Sequence, residues 1–150
     1  MRLFFSILSL AYISGIFLLA DSPIVSSLAP FNPYSLLHIP LYGILTILLI
    51  LSIIPFKIKH NNPINKRDQK DQRDQIDQID QINQINRFLI AGLITLGVAI
   101  ADEIYQSFIP SRDASIKDVF LDLIGITFVL FLFHQLYKGK KARIAIQPDD

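Results

Sequence analysis

The most informative stretch of the chain is residues 88–137, FLIAGLITLGVAIADEIYQSFIPSRDASIKDVFLDLIGITFVLFLFHQLY. It contains two long and mainly apolar runs, 88–109 and 116–137, which are joined by a short polar segment after Pro110. A helix needs about 20 apolar residues to cross the hydrocarbon core of a bilayer. Both runs reach that length, so this stretch predicts a hairpin of two membrane-spanning helices.

Two further apolar runs, 3–20 and 35–54, lie upstream of this hairpin. Half of the 150 residues are hydrophobic, 51% in all, and they are bunched into these runs instead of alternating with polar residues. We therefore predict an all-α membrane protein, a four-transmembrane-helix bundle formed by one domain, residues 1–137. A cleaved signal peptide is an alternative interpretation of the first run, and residue 21 is outside the cytoplasm in either case.

The basic residues predict the orientation of these four spans. Of the 14 Lys and Arg residues, all but Arg112 and Lys117 fall before the first run, between the second and third, or after the fourth. Loops rich in Lys and Arg stay in the cytoplasm. Both termini are thus predicted to be cytoplasmic, with residues 138–150 as a basic tail. Because the basic residues sit beside apolar runs and not on a folded basic face, no nucleic-acid partner is expected.

The cytoplasmic connection contains a repeat. Residues 68–85 read DQKDQRDQIDQIDQINQI, which is one triplet repeated six times. A period of three does not keep an apolar stripe on one face of a helix with 3.6 residues per turn. We interpret residues 61–86 as a low-complexity, solvated loop. The alternative is an arm that binds a partner or self-associates.

Polar residues recur near the predicted outer ends of the spans. Ionisable side chains inside a span are costly and usually face one another or a polar cavity. At a rise of 1.5 Å per residue, those on the second, third and fourth spans all lie within about 10 Å of the outer ends. We therefore expect one polar cluster there. Its predicted members are His38, Tyr42, Asp102, Glu103, Gln106, Arg112, Asp118 and Asp122.

Three roles for such a cluster remain open at this stage. It can be a structural knot in which Arg112 pairs with Glu103 or Asp118. It can bind a headgroup or lipid-linked substrate, with Arg112 and Lys117 meeting phosphate and with His38 or Glu103 as candidate acid or base. It can also be a divalent metal site or a proton path. The chain has no cysteine and no nucleophile motif, so no catalytic residue, cofactor or metal ligand is assigned.

Two stretches carry a family resemblance. Residues 101–126, ADEIYQSFIPSRDASIKDVFLDLIGI, and residues 36–45, LLHIPLYGIL, resemble the polar motifs of the VanZ-like family of bacterial membrane proteins. The departures are Ser111 where Gly is usual, Asp122 where Asn is usual, and Tyr34-Ser35 where an Asp-Lys pair is common. The family's characteristic polar residues fall on His38, Asp102, Glu103, Gln106, Arg112, Asp118 and Gly125.

The resemblance implies a location and a broad role. It implies a multi-pass protein of the bacterial plasma membrane with a role in the cell envelope, such as altered susceptibility to the glycopeptide teicoplanin. The expected partners are membrane lipids and a cell-wall precursor or glycopeptide. The alternative is a small membrane enzyme that uses carboxylate and His acid-base chemistry on a lipid-linked substrate. Neither the resemblance nor the residues indicate an oligomeric state.

Overall fold

All regular secondary structure in the part of the chain that the structure describes is helical. The computed structural model describes residues 1–20, 22, 36–54, 70–110 and 114–146, with backbone alone at 70–77, 80 and 139–146. Within these ranges it contains no strand. The predicted all-α class is confirmed. The four long helices are α1 Arg2–Ala20, α2 His38–Ile53, α3 Lys70–Gln106 and α4 Ile116–Ile146.

The first two helices run antiparallel. Arg2, at the start of α1, donates from Nε to the carbonyl oxygen of Ser52 near the end of α2, over 3.2 Å. Closer to the opposite end, the Tyr12 hydroxyl donates to the carbonyl oxygen of Leu41 over 3.1 Å. Farther along α1, the Phe17 ring meets the Tyr105 ring edge to face, at a centroid distance of 5.6 Å. The end of α1 therefore lies at the same end of the bundle as the start of α2 and the end of α3.

A glycine sets the contact between α2 and α4. A Cβ atom at Gly125 would collide with the backbone carbonyl of Ile39 and would lie 3.2 Å from its Cα atom. Gly43 faces Val129 at the same crossing, where an added Cβ would meet the Val129 side chain at 3.6 Å. Small residues allow the backbones of membrane helices to approach in this way. Gly125 consequently brings the first turn of α2 against the third turn of α4.

The structure differs from the predicted boundaries of the helices. Helix α3 begins at Lys70, inside the triplet repeat, and not near Phe88. Helix α4 continues through the predicted tail to Ile146, and α2 begins at His38, after a 3₁₀ turn at Leu36 and Leu37. The repeat contains no Gly or Pro, the residues that interrupt helices most strongly, so nothing stops α3 from extending toward its N-terminus.

Two helical segments in the described part have the length and composition to cross a membrane. They are Arg2–Ala20 and Gln81–Gln106, whereas His38–Ile53 is apolar but shorter. The core between the helices combines apolar side chains such as Leu45 and Ile50 with polar ones such as Thr46 and Thr95, all of them fully buried or nearly so. Large apolar side chains also cover much of the exposed surface. The structure thus shows an all-α chain in which two helices have membrane-spanning character.

Candidate functional site

Seven of the eight predicted site residues meet at one end of the bundle. They come from the first turns of α2, the last turns of α3 and the first two turns of α4. Six of the seven are buried and Asp118 is partly buried. We call this group the polar cluster. Its members are His38, Tyr42, Asp102, Glu103, Gln106, Asp118 and Asp122.

The centre of the polar cluster is a pair formed between α2 and α4. Nδ1 of His38 lies 3.0 Å from Oδ1 of Asp122, a carboxylate whose residue is 0% exposed. The two residues are 84 positions apart, and the close approach at Gly125, one turn beyond Asp122, allows them to meet. A carboxylate at Nδ1 stabilises the tautomer that carries its proton on Nδ1. Nε2 of the neutral ring is then left with its lone pair.

A second chain of hydrogen bonds joins α2 to α3. The Tyr42 hydroxyl donates to Oδ2 of Asp102 over 3.0 Å, and Nε2 of Gln106 donates to the same oxygen over 2.9 Å. Asp102 and Gln106 are four residues apart, so they share one face of α3. The Tyr42 ring also stacks on the His38 ring, with a centroid distance of 6.2 Å. The two chains of hydrogen bonds are therefore in direct contact.

Glu103 links α3 to the start of α4. Its Oε2 accepts a hydrogen bond from the backbone N–H of Ser115 over 2.8 Å. The Ser115 hydroxyl accepts in turn from the backbone N–H of Lys117 over 3.2 Å, which caps the first turn of α4. Glu103 thereby holds the hairpin between the third and fourth helices closed from inside the bundle.

Two carboxylate oxygens in the polar cluster are buried without a hydrogen-bond partner among the described residues. They are Oε1 of Glu103 and Oδ2 of Asp122. Leaving a buried acceptor unsatisfied costs about 1–3 kcal/mol, and more for a charged group. A hydrogen-bond donor or a cation bound beside these oxygens would supply the missing partner.

Two further residues were predicted to take part in this site, Arg112 and Lys117. Arg112 falls outside the described residues, so the predicted pairing of Arg112 with Glu103 or Asp118 is outside them too. Lys117 is exposed, and its backbone, as described above, contributes to the cap of α4. The polar cluster as described therefore consists of acids, one imidazole, one phenol and one amide.

Two buried threonines were not predicted. Oγ1 of Thr46 donates to the Tyr42 carbonyl oxygen at 2.7 Å and lies 3.3 Å from Oγ1 of Thr95, so a polar contact continues one turn below Tyr42. Threonine in an apolar run usually bonds to its own helix, which hides this role in the sequence. The only available signal was the spacing of four residues between Tyr42 and Thr46.

Comparison of the chain with protein-family models, with curated proteins and with solved structures gave no match. The residues and their geometry are therefore the basis on which a function can be argued.

Proposed function

We propose that this chain is a multi-pass protein of a bacterial plasma membrane whose polar cluster binds a component of the cell envelope near the outer face. The observation that carries the proposal is the distribution of side chains, with ionisable groups in the interior and large apolar groups on the surface. Asp122 is 0% exposed, whereas Phe120, two residues away, is 62% exposed. A protein surrounded by water would favour the reverse arrangement.

The apolar surface extends along all four helices. Monomeric soluble proteins rarely expose contiguous apolar patches larger than a few hundred Å². Here α4 carries a series of exposed side chains at helical spacing, and the other helices expose similar ones. Examples are Phe4, Leu10, Ile44, Leu93, Ile124, Phe128 and Phe131. Lipid is the solvent that suits this surface. The presence of the apolar surface on all four helices supports four membrane crossings, including one by α4.

The lengths are compatible with four crossings. At 1.5 Å per residue, α1 is about 28 Å long, close to the hydrocarbon thickness of about 30 Å. The 16 residues of α2 reach about 24 Å, a shortfall that local thinning of the bilayer can accommodate. The antiparallel contact of Arg2 with Ser52 keeps the N-terminus and the end of α2 on one side. The excess of Lys and Arg makes that side cytoplasmic.

This orientation puts the polar cluster in the outer half of the membrane. The resemblance of residues 101–126 and 36–45 to the motifs of VanZ-like proteins supports a role in the cell envelope. Candidate ligands are a lipid-linked cell-wall precursor or a glycopeptide, with Tyr42, Gln106 and the carboxylates contacting its hydroxyl, amine or peptide groups.

The orientation can be tested with single cysteines because the chain has none of its own. Ser22→Cys and Lys117→Cys should react with a membrane-impermeant maleimide in intact cells. Lys138→Cys should react only after the cells are permeabilised. Labelling of Lys138→Cys in intact cells, or protection of both outer positions, would overturn the proposed topology.

The binding role can be tested by native mass spectrometry of the full chain purified with its lipids. We expect a retained envelope lipid or precursor that is lost in Gln106→Ala and Glu103→Gln, together with a change in teicoplanin susceptibility when the protein is overproduced. His134→Ala is the control, since His134 lies late in α4 and far from the polar cluster in sequence. If all three variants retain the same lipids as the original chain, the polar cluster is not the binding site.

A small membrane enzyme is the second candidate function. The pairing of His38 with Asp122 favours it, because a carboxylate that orients an imidazole is a common arrangement for a general base. An enzyme predicts that Glu103→Gln abolishes turnover while the lipid remains bound. A binding protein predicts loss of the lipid itself.

A further inference from the structure

We propose that the polar cluster contains a binding site for a divalent transition-metal cation, formed by His38, Glu103 and Asp118. One ring nitrogen of His38 and one carboxylate oxygen from each of the two acids all lie within 4.8 Å of one another. These three residues, which we call the triad, come from three different helices, α2, α3 and α4. This inference goes beyond the binding of an envelope component and does not depend on it.

The contacts of the His38 ring resemble those of a histidine that binds a metal. Histidine ligands almost always use their second ring nitrogen to contact a carboxylate or carbonyl, which fixes the ring and raises its basicity. Here Asp122 occupies Nδ1 at 3.0 Å, and Nε2 is the nitrogen that remains for a metal.

An independent observation comes from Glu103. The residue is only 7% exposed, and its Oε1 has no hydrogen-bond partner among the described residues. Its other oxygen is held by the N–H of Ser115, so the carboxylate is fixed in place. The unpartnered oxygen lies on a side chain of the triad itself. A cation beside it would supply the missing partner.

The charge of the polar cluster also favours a cation. Glu103 and Asp118 belong to the triad, and Asp102 and Asp122 are hydrogen-bonded to the aromatic side chains Tyr42 and His38. Buried carboxylates are unfavourable unless they are paired or bind a metal. A divalent ion would offset two of these negative charges.

The donor set indicates the class of metal. Imidazole nitrogen suits Zn²⁺, Cu²⁺, Fe²⁺ and Ni²⁺, whereas Mg²⁺ and Ca²⁺ prefer sites made of oxygen alone. Bonds of about 2.0–2.2 Å would place the ligand atoms of a tetrahedral Zn²⁺ site about 3.3 Å apart. The separations of up to 4.8 Å would then shorten by at most about 1.5 Å when the metal binds. Three protein ligands leave a position open for water or an added ligand.

The test uses the full chain, purified in detergent, stripped with a chelator and titrated with Zn²⁺ and with Co²⁺. We expect one equivalent per chain, seen by elemental analysis for Zn²⁺ and by visible absorption for Co²⁺, and not displaced by millimolar Mg²⁺. His38→Ala, Glu103→Gln and Asp118→Asn should each weaken binding at least about 10-fold. Asp122→Asn, which alters only the group behind the imidazole, should weaken it by about 10-fold as well.

His134→Ala is the matched control, because it removes a histidine of the same chain outside the triad. It should bind the metal as the original chain does. The proposal is overturned if the unaltered chain binds no stoichiometric metal, since that result does not depend on any variant remaining folded. It is also overturned if His38→Ala binds normally, or if His134→Ala loses as much affinity as His38→Ala does.

Discussion

The two halves of the bundle interior differ in what holds them together. At the end where α2 and α4 begin, the helices meet through hydrogen bonds between side chains, such as His38 with Asp122 and Tyr42 with Asp102. Toward the other end they meet mainly through apolar packing, for example Leu49, Ile50 and Phe88 in the core. In lipid, apolar packing distinguishes poorly between partner helices, whereas buried polar groups have few alternative partners. The polar half therefore specifies which helix faces meet.

The close crossing of α2 and α4 at Gly125, inside the polar half, is the place where the largest effect is expected. Gly125→Leu would push α4 away from the backbone of Ile39 and separate His38 from Asp122. Overpacking of this kind typically costs about 1–3 kcal/mol, and we expect the upper end or more because the obstacle is backbone. The thermal midpoint in detergent should fall sharply. Gly97→Leu is the control, since a Cβ at Gly97 meets nothing within 4 Å. Equal effects from both substitutions would contradict the close crossing.

Within the polar half, removal of Asp122 should have the next largest effect. Asp122→Ala leaves His38 without its carboxylate, and breaking a buried pair in this way costs about 3–5 kcal/mol in soluble proteins. In the membrane setting that we propose for this chain we expect about 2 kcal/mol, because separated helices in a bilayer also find polar partners. Unfolding in mixed detergent measures the loss. Asp122→Asn, which retains an acceptor oxygen, should lose clearly less, and a loss as large as that of Asp122→Ala would contradict the role of the hydrogen bond.

Where polar contact gives way to apolar packing, the expected effect is small. Thr46→Val removes the hydroxyl that lies 3.3 Å from Oγ1 of Thr95 and keeps the shape of the side chain. Interhelical hydrogen bonds in membranes average about 0.6 kcal/mol, so the same unfolding assay should show a change of that order. A loss above about 2 kcal/mol, beyond the range measured for such bonds, would mean that the polar half extends deeper than Tyr42.

Outside both halves, the triplet repeat should contribute almost nothing. Deletion of residues 68–85 removes the first part of α3, where Ile79, Ile82 and Ile85 are exposed. We expect an unchanged thermal midpoint and unchanged metal binding. A fall in the midpoint, or a change in the size of the particle in detergent, would favour the alternative of a self-associating or partner-binding arm.

The sequence predicted the helical class and the position of the polar residues along each helix, but not their pairing. That position follows from the rise per residue alone, which is why His38, Asp102 and Asp122 were expected in one layer. Pairing depends on how each helix is rotated about its axis, and the sequence does not fix that rotation. One of the three roles left open has Arg112 pairing with Glu103 or Asp118, and it stays a prediction because Arg112 lies outside the described residues. Within them, Glu103 accepts a hydrogen bond from the backbone N–H of Ser115.

The prediction that the repeat is a loop differs from the structure for another reason. A period of three argues against an amphipathic helix, and the repeat was therefore interpreted as a loop. It does not argue against a helix that packs on nothing. Because the segment contains no Gly or Pro, it extends the helix of the third apolar run toward the N-terminus. Its isoleucines Ile79, Ile82 and Ile85 are exposed, so this part of the helix has no buried apolar stripe.

The convergence of α2, α3 and α4 in one polar layer underlies both proposed binding sites, and cross-linking tests this convergence most directly. In the cysteine-free chain, His38→Cys combined with Asp122→Cys should form an intramolecular cross-link with a short thiol reagent in isolated membranes. His38→Cys combined with His134→Cys, 12 residues beyond Asp122 on α4, should not. Cross-links of equal yield in the two double variants, or cross-links between separate chains only, would contradict the account.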